Sequence, residues 1–217
     1  MDIDDILADL DAQSAPQEST DLQHLTRNWI AERCAPELLP YPTELMDRVL
    51  SRISTQISTI EDATGNMDPK TNFKLIVLQT ELERFKFLVR SLLRARIAKI
   101  DAHPLHYSSL DTKEVILSSD EMQYLQHHQT LLSQHYRASF LGGFPPALQR
   151  LDDTAGGISM VERPDVERAV FVRVLRDCGE VGIPGTDVRA EFRRGDVWVV
   201  RWSAVREKVL GGDVEVM

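Results

Sequence analysis

The stretch between Thr71 and His103 contains neither glycine nor proline, and its apolar residues recur at every third or fourth position. This spacing predicts one long amphipathic helix, because residues three and four apart lie on the same helix face. The pattern favours the internal core of a helical bundle, with a seam to another chain as the alternative. The apolar stripe consists of Leu75, Leu78, Leu82, Phe85, Val89 and Leu92.

The same helix carries a strongly basic face. From Arg84 to Lys99 the sequence has six basic residues and no acidic one. Such a face is solvated, paired with acidic protein neighbours, or bound to phosphate groups. The whole chain has a net charge of −9, which repels nucleic acid, so we expect acidic protein neighbours and only weak direct contact with DNA. Arg90, Arg94 and Arg96 form the predicted basic surface.

The length of 217 residues allows one large domain or two small ones. No apolar run approaches the roughly 20 residues needed to span a bilayer, and the N-terminus is acidic where a signal or transit peptide would be basic. We therefore expect an intracellular, soluble protein. Cys34 and Cys178 belong to no CxxC or Cys/His spacing, which predicts plain buried thiols.

Residues 1–19 form a predicted acidic tail. Because the first twenty residues contain several acidic side chains and no basic one, the tail should be disordered when alone. Within it, Ile3, Ile6, Leu7 and Leu10 fall on one face of a two-turn helix. This pattern is typical of a peptide that docks as a helix in a groove, and the alternative is an acidic tail with a few chance aliphatic residues.

Residues 20–151 are predicted to form an all-α helical bundle. Thr20 is a candidate N-cap for the first helix, and Ser118 with Glu121 forms a capping box for the last long one. The predicted helices besides the long one are Asp21–Cys34, Thr43–Asp62, Ser118 to about Leu141, and a short segment at Ala147–Leu151, with a loop at His103–Glu114.

Composition changes at residues 152–157, which we interpret as a mobile linker of turn-forming and small residues. Residues 158–217 then form a small β-rich C-terminal domain, so the predicted fold class is α+β. Strand alternation places Val197 and Val199 on one face of a strand and Trp198, Val200 and Trp202 on the other. We expect Phe171, Val174, Val197, Val199 and Trp202 to be largely buried, some of them against partners. The predicted strands are Ile158–Glu162, Ala169–Leu175, Val197–Trp202 and Val214–Met217, with a short helix at Ser203–Leu210.

Catalytic and metal-binding patterns are weak. His128 and His135 are seven residues apart, about 10 Å along a helix, whereas zinc ligands on one helix are three or four residues apart. The glycine pairs lack the context of a phosphate-binding loop, and no GxSxG motif occurs. The sequence therefore predicts no enzyme, no metal and no cofactor. The alternatives to a scaffold are a nucleic-acid-binding module that uses the basic helix face and, last, an enzyme with a hidden histidine site.

A series of motifs extends over nearly the whole chain, and by the order and spacing of these motifs the chain resembles the Sld-five subunits of the eukaryotic GINS complex. The chain looks like a fungal-type member. Leu92 departs from the family pattern, in which many members have an aromatic residue. The main motifs are Trp29-Ile30-Ala31-Glu32-Arg33, Ala35-Pro36-Glu37-Leu38-Leu39-Pro40-Tyr41, Glu81-Leu82-Glu83-Arg84-Phe85-Lys86-Phe87, Arg90-Ser91-Leu92-Leu93-Arg94 and Gly195-Asp196-Val197-Trp198-Val199-Val200-Arg201-Trp202.

This resemblance implies a non-enzymatic scaffold in the nucleus, needed for initiation and elongation of chromosomal DNA replication. It implies a heterotetramer with three sister subunits of the Psf type. It further implies contact with the ring-shaped MCM helicase motor and its Cdc-type partner, which together form the CMG helicase at the replication fork.

The resemblance also implies roles for particular residues. The tail looks like a docking peptide for a trimeric replisome adaptor of the Ctf/And family, with Asp4, Asp5, Ile6, Leu7 and Leu10 as adaptor-binding residues. The residues expected in the subunit interface or core are Leu78, Leu82, Phe85, Val89, Leu92, Tyr136 and Phe140. Those expected to dock the C-terminal domain are Val197, Val199, Trp202, Val214 and Val216.

Overall fold

The computed structural model describes residues 16–63, 69–153, 159–185 and 189–217. The predicted docking peptide in the tail and most of the predicted linker therefore lie outside the described residues. Within the described residues the fold class is α+β, as predicted, with helices first and a small β-rich region after them. The helices of the first part are α1 Pro16–Cys34, α2 Thr43–Ala63, α3 Pro69–Ala102, α4 Pro104–Ser109, α5 Lys113–Ile116 and α6 Ser119–Ser139, followed by 3-10 turns at Leu141–Gly143 and Pro146–Leu148.

The long helix and the capping box are confirmed. Helix α3 has 34 residues and continues without a break from Pro69 to Ala102. At the start of α6, the Ser118 hydroxyl accepts the Glu121 backbone N–H at 3.2 Å, and the Glu121 carboxylate accepts the Ser118 N–H at 3.0 Å. Two N–H groups that a helix start leaves without a partner are thereby satisfied.

Two helix starts differ from the prediction. Helix α1 begins at Pro16, so Thr20 lies inside the helix and does not cap it. The predicted loop from His103 to Glu114 instead contains α4 and the start of α5. Proline explains the starts of α1 and α4, at Pro16 and Pro104, because at the first helical position its fixed φ suits the helix and its missing N–H needs no partner.

The β-rich region contains two small antiparallel sheets. Strand β1 lies in the middle of a three-stranded sheet of order β4-β1-β5, in which Phe171 is opposite Val199 and Val172 is opposite Val216. Strands β2 and β3 form a separate hairpin. The elements are β1 Ala169–Val174, β2 Gly179–Gly182, β3 Arg189–Phe192, β4 Val197–Arg201, helix α7 Trp202–Leu210 and β5 Val214–Val216.

Three details of this region were predicted wrongly. Residues 159–162 form bends and no strand, and Trp202 begins α7 where it was expected to end β4. The β2–β3 hairpin was missed, because strands of four residues are too short for an alternation pattern to stand out. The turn before β4 contains Gly195, whose φ of +94° favours glycine.

The chain divides into two compact units, and their described parts are as follows. The first unit comprises residues 16–30, 42–63 and 69–93, and the second comprises residues 31–41 and the described residues from 94 onward. In the first unit, Trp29 meets Phe87 edge-on at 6.1 Å between ring centroids, and the Arg52 guanidinium lies 4.8 Å from the Phe85 ring centroid. The buried apolar side chains of this unit are Leu25, Leu45, Met46, Val49, Ile60, Leu82, Phe85, Leu88, Val89 and Leu92.

The second unit has two apolar clusters, and the segment 31–41 contributes to both. Ala35 packs in the cluster formed by the three-stranded sheet and α7, whose largest member is Trp202. Leu38 packs in a helical cluster with Ile100, Tyr107, Leu117 and Leu125. Because one short segment supplies side chains to both clusters, it ties the sheet to the helical part of this unit. The predicted domain boundary at residues 152–157 stays a prediction.

Candidate interaction surfaces

The apolar stripe of α3 is covered by the chain itself. Leu82, Phe85, Val89 and Leu92 are buried in the first unit, and Leu78 is half-buried. These positions therefore belong to the internal core of that unit. Among the described residues, other positions offer the exposed surface that could contact another chain.

One predicted surface residue, Arg96, is not on the surface. Its side chain is fully buried, and all five N–H bonds of the guanidinium point at acceptors. Nε and Nη2 donate to the two oxygens of Glu121 at 2.7 and 2.9 Å, and Nη1 donates to Glu32 at 2.9 Å. The carbonyls of Leu39 and Ile116 accept the remaining two hydrogen bonds at 2.8 Å. The prediction that Arg96 belongs to a basic surface is therefore wrong, because two buried carboxylates and two carbonyls hold its charge inside.

Burial and ion pairing have opposite effects on the pKa values of Arg96 and Lys99. Burial disfavours the charged form of Arg96, but hydrogen bonds and charge from Glu121 and Glu32 outweigh it, so the pKa of Arg96 is raised. Lys99 donates to Glu32 at 2.6 Å and to the Glu37 carbonyl at 2.8 Å. Burial lowers the pKa of Lys99, against the opposing charge of Glu32. We call Glu32, Arg96, Lys99 and Glu121 the buried ion cluster.

A sequence signal for the buried ion cluster did exist. Arg96 lies four residues after Leu92 and four before Ile100, and both of these are buried, so Arg96 occupies the apolar stripe and not the basic face. Glu32 carries no comparable signal, because its contact with Arg96 joins positions 64 residues apart. Of the predicted basic surface, Arg90 and Arg94 are exposed as expected.

The residues predicted to dock the C-terminal domain fall into two sets. Trp202, Val214 and Val216 are buried in the sheet's own cluster, and so is Val174. The Trp202 indole N–H donates to the Glu37 carboxylate at 2.9 Å, and Arg206 Nε donates to the same oxygen. These contacts attach α7 to the segment 31–41 within the second unit.

The other set lies on the open face of the three-stranded sheet. Val197 is 53% exposed, and Val199 and its cross-strand neighbour Phe171 are each 57% exposed. These three side chains are exposed in the chain by itself. The burial predicted for them from the sequence therefore requires a partner protein that covers the sheet. We call Phe171, Val197 and Val199 the sheet patch.

A second apolar surface follows the end of α6. Tyr136, Phe140 and Phe144 form a ladder of rings, with centroids 5.7 Å and 6.5 Å apart. Tyr136 is half-buried, whereas Phe140 and Phe144 are exposed, as is the nearby Leu148. We call these three rings the aromatic ladder; it contains the two α6-end residues, Tyr136 and Phe140, that were predicted for the interface or core.

Within the described ranges, the histidines are not grouped with other possible metal ligands. His127 and His135 are exposed, and His128 Nε2 lies 3.8 Å from an Asp101 oxygen. Among the described residues, no three His, Cys, Asp or Glu side chains are grouped closely enough to hold a metal ion. Cys34 and Cys178 are free thiols, each half-buried beside the sheet cluster.

No helix in the described part of the chain is long and apolar enough to cross a membrane.

Two family models match this chain. The family described as "GINS complex protein helical bundle domain" matches residues 47–140, and the one described as "DNA replication complex GINS protein SLD5 C-terminus" matches residues 164–217. The first match covers most of α2 and all of α3 to α6, and the second covers the β-rich region.

Whole-chain comparisons agree with these matches. A "DNA replication complex GINS protein SLD5" of Chaetomium globosum is 52% identical over 100% of both chains. Proteins with the same description are 36% identical in Yarrowia lipolytica, over 98% of this chain and 84% of that protein, and 36% identical in Schizosaccharomyces pombe, over 100% and 99%.

Proposed function

Since this chain belongs to the SLD5 family of DNA replication complex GINS proteins, we propose that it is a non-enzymatic structural subunit of a GINS heterotetramer. Its direct partners in this proposal are three sister subunits of the Psf type. The tetramer acts in the nucleus as part of the CMG helicase, together with the ring-shaped MCM motor and its Cdc-type partner, in initiation and elongation of DNA replication.

The observation that carries the proposal is the exposed aromatic ladder. Exposed aromatic rings in contiguous patches are typical of protein–protein interfaces, where they contribute much of the binding energy. The Phe140 ring contacts both the Tyr136 ring and the Phe144 ring, so the three rings support one another before a partner arrives. An ordered patch loses little side-chain entropy on binding, which favours a stable subunit contact.

The test is co-expression of the full chain with its three sister subunits. The wild-type chain should co-purify with all three, whereas Phe140→Glu should lower the yield of tetramer at least tenfold, because it buries a carboxylate in an apolar contact. Val115→Glu, at a residue of α5 that is 70% exposed and lies outside the patches, is the matched control and should assemble normally. Normal assembly of both Phe140→Glu and Phe144→Glu would contradict the role of the ladder.

The second part of the proposal is that the acidic tail tethers a trimeric replisome adaptor. Ile6, Leu7 and Leu10 would bury in a groove, each contributing roughly 1.5–3 kcal/mol before ordering costs are deducted, so micromolar affinity is expected. A trimeric adaptor compensates by multivalency. Asp4 and Asp5 favour the N-terminal end of the helix dipole and, with the other acidic residues, should make binding weaken with salt.

A labelled peptide of residues 1–20, titrated with the adaptor, tests this part alone. Replacement of Ile6, Leu7 and Leu10 by alanine should abolish binding, while the same replacements in the full chain should leave tetramer assembly unchanged. Equal binding by the wild-type and triple-alanine peptides would contradict docking as a helix in a groove.

The alternative, a nucleic-acid-binding module that uses the basic face of α3, has less support than the scaffold. It needs a continuous ridge of free cations, but Arg96 is buried, Lys99 pairs with Glu32, and Lys86 pairs with Glu83 at 3.2 Å. Only Arg84, Arg90 and Arg94 of the six basic residues are left exposed and without an ion pair to described residues. A salt-sensitive affinity of the chain for duplex DNA, lost on reversal of charge at Arg90 and Arg94, would favour the alternative.

A further inference from the structure

The exposed side of α3 in the first unit is apolar as well as charged. Ile76 and Phe87 are 60% and 58% exposed, although both lie on a helix whose opposite side is buried. Ile76, Thr80, Glu83, Phe87 and Arg90 are all exposed and follow one another at intervals of three or four residues. They therefore form one continuous stripe along the helix.

Phe87 is held in place on this stripe. Its ring lies 6.1 Å from the Trp29 ring with an interplanar angle of 72°, an edge-to-face contact that aromatic pairs prefer. The contact uses one part of the ring and leaves more than half of the side chain exposed. Phe87 is thus an ordered apolar anchor on the surface.

Exposed positive charge flanks Phe87 on both sides. Arg84 and Arg90 are three residues before and after Phe87, and both are exposed. Within the described residues neither guanidinium makes an ion pair. Glu83, on the same stripe, is already paired with Lys86 at 3.2 Å. Among the described residues, the guanidinium groups of Arg84 and Arg90 therefore have no carboxylate to pair with.

We propose that this stripe, together with Arg84 beside it, binds an amphipathic helix of a sister subunit that carries acidic residues beside its apolar ones. The inference rests on the proposed function and names one contact of the tetramer. Apolar side chains of the partner helix pack on Phe87 and Ile76, and its carboxylates form paired hydrogen bonds with Arg84 and Arg90. From Ile76 to Phe87 the stripe rises about 16 Å, which suits a partner helix of about three turns or more.

Charge and shape favour a protein partner over nucleic acid. A phosphate backbone would need cations in succession, but here two large apolar side chains and Glu83 interrupt them. The net charge of −9 on the chain opposes the approach of DNA, whereas it is no obstacle to a local contact between two guanidinium groups and two carboxylates.

The first experiment places a photocrosslinking residue, p-benzoylphenylalanine, at position 87 of the full chain in the purified tetramer. Mass spectrometry should find the crosslink in a sister subunit, on a peptide with Asp or Glu within one helical turn of the attached residue. A crosslink to a second copy of this chain, to residues 1–20 of the same chain or to added duplex DNA would overturn the inference. So would the absence of any crosslink in a correctly assembled tetramer, and that result would leave the proposed function standing.

The second experiment tests the charges. Arg84→Glu combined with Arg90→Glu should weaken the tetramer at least tenfold at low salt, and high salt should reduce the difference from wild type. Arg194→Glu, which reverses an exposed arginine in the turn between β3 and β4, is the matched control and should have little effect. Circular dichroism should show unchanged helix content in all variants. An equal loss in the control, or no loss in the double variant, would overturn the inference, whereas failure of the wild-type chain to assemble would overturn the proposed function and with it this contact.

Discussion

At the scale of single residues, the buried side chain of Arg96 connects several helical elements of the second unit. It connects α3 to the end of α1 through Glu32, to the following segment through the Leu39 carbonyl, and to the start of α6 through Glu121. Glu121 also completes the capping box with Ser118, so one carboxylate both starts a helix and neutralises a buried cation. A buried pair of this kind stabilises less than its short distances suggest, because both ions lose their hydration.

Arg96→Ala should be strongly destabilising. It leaves the buried Glu121 without a cation and Glu32 with Lys99 as its only ion-pair partner among the described residues, for which a loss of about 3–5 kcal/mol in the free energy of unfolding is expected. Chemical denaturation of the full chain measures this directly. Arg94→Ala, two residues away on the exposed side of the same helix, should change stability by no more than about 0.5 kcal/mol. Similar losses in the two variants would contradict the role of the buried ion cluster.

The raised pKa of Tyr107 predicts that the free energy of unfolding depends on pH in the alkaline range. Burial raises its pKa to about 12, while its hydroxyl oxygen accepts the Leu38 N–H at 3.2 Å. Between pH 10, where the unfolded tyrosine ionises, and about pH 12 the folded state binds more protons than the unfolded state, so stability falls as pH rises. Over this pH range the loss in the free energy of unfolding amounts to about 2.7 kcal/mol.

The measurement compares wild type with Tyr107→Phe. The variant loses one hydrogen-bond acceptor but cannot ionise, so its stability should fall less steeply from pH 10 to 12. Urea denaturation at several pH values gives both curves, and parallel curves would show that Tyr107 ionises freely in the folded chain.

At the scale of elements, the segment 31–41 joins the sheet to the helical part of the second unit. Its side chains enter both apolar clusters of that unit, and Glu37 binds Trp202 and Arg206 of α7. Helix α7 in turn packs against the sheet through Trp202 and Val205. The sheet is thus attached both by apolar packing and by the polar contacts of Glu37, in a segment that contains Pro36 and Pro40.

Glu37→Ala should loosen α7 selectively. It leaves the Trp202 indole N–H and the Arg206 guanidinium without this acceptor, with an expected cost of about 1–3 kcal/mol. Hydrogen exchange should show reduced protection of the amides in α7 and β5, with α6 unchanged. Glu180→Ala breaks an exposed ion pair with Arg189 and serves as the control, since such pairs contribute about 0–1 kcal/mol. Equal exchange in the two variants would rule out Glu37 as the attachment point.

At the scale of the whole molecule, the apolar surface is unevenly distributed. The sheet patch, the aromatic ladder and the exposed face of α3 around Phe87 each expose large apolar side chains, whereas other apolar side chains of α3 and of the sheet are buried. A chain with several separate apolar surfaces is suited to an assembly with several partners, because each surface needs its own cover. This agrees with the proposed role as a subunit of a tetramer.

Deletion of residues 214–217 should damage the second unit as well as assembly. Val214 and Val216 are buried, and β5 forms one side of the three-stranded sheet, so the deletion removes two buried side chains worth roughly 1.5–3 kcal/mol each. A lower melting temperature and a lower tetramer yield are expected. Deletion of the exposed Met217 alone should have little effect, and a fully stable, fully assembled 214–217 deletion would contradict a structural role for β5.

The elements with long, regular patterns were predictable from the sequence. The long helix, the helix Thr43–Ala63 and the capping box at Ser118 each depend on residues within one or two helical turns, so local spacing was sufficient. The order of helices followed by a β-rich region was predictable for the same reason. Short elements such as the β2–β3 hairpin were not, because four residues carry too little pattern.

By itself the sequence determined the fold class, the long helix and the motifs by which the family could be recognised, because these depend on local periodicity and on the order of residues along the chain. Only the tertiary structure decided which charged and apolar residues are covered. Arg96 and Arg94 are two positions apart in one basic run, yet one is buried between two carboxylates and the other is exposed. Val197 and Val214 are both strand valines, yet only Val214 is buried. Burial depends on contacts between distant parts of the chain, such as that of Arg96 with Glu32 across 64 positions, and no local pattern contains that information.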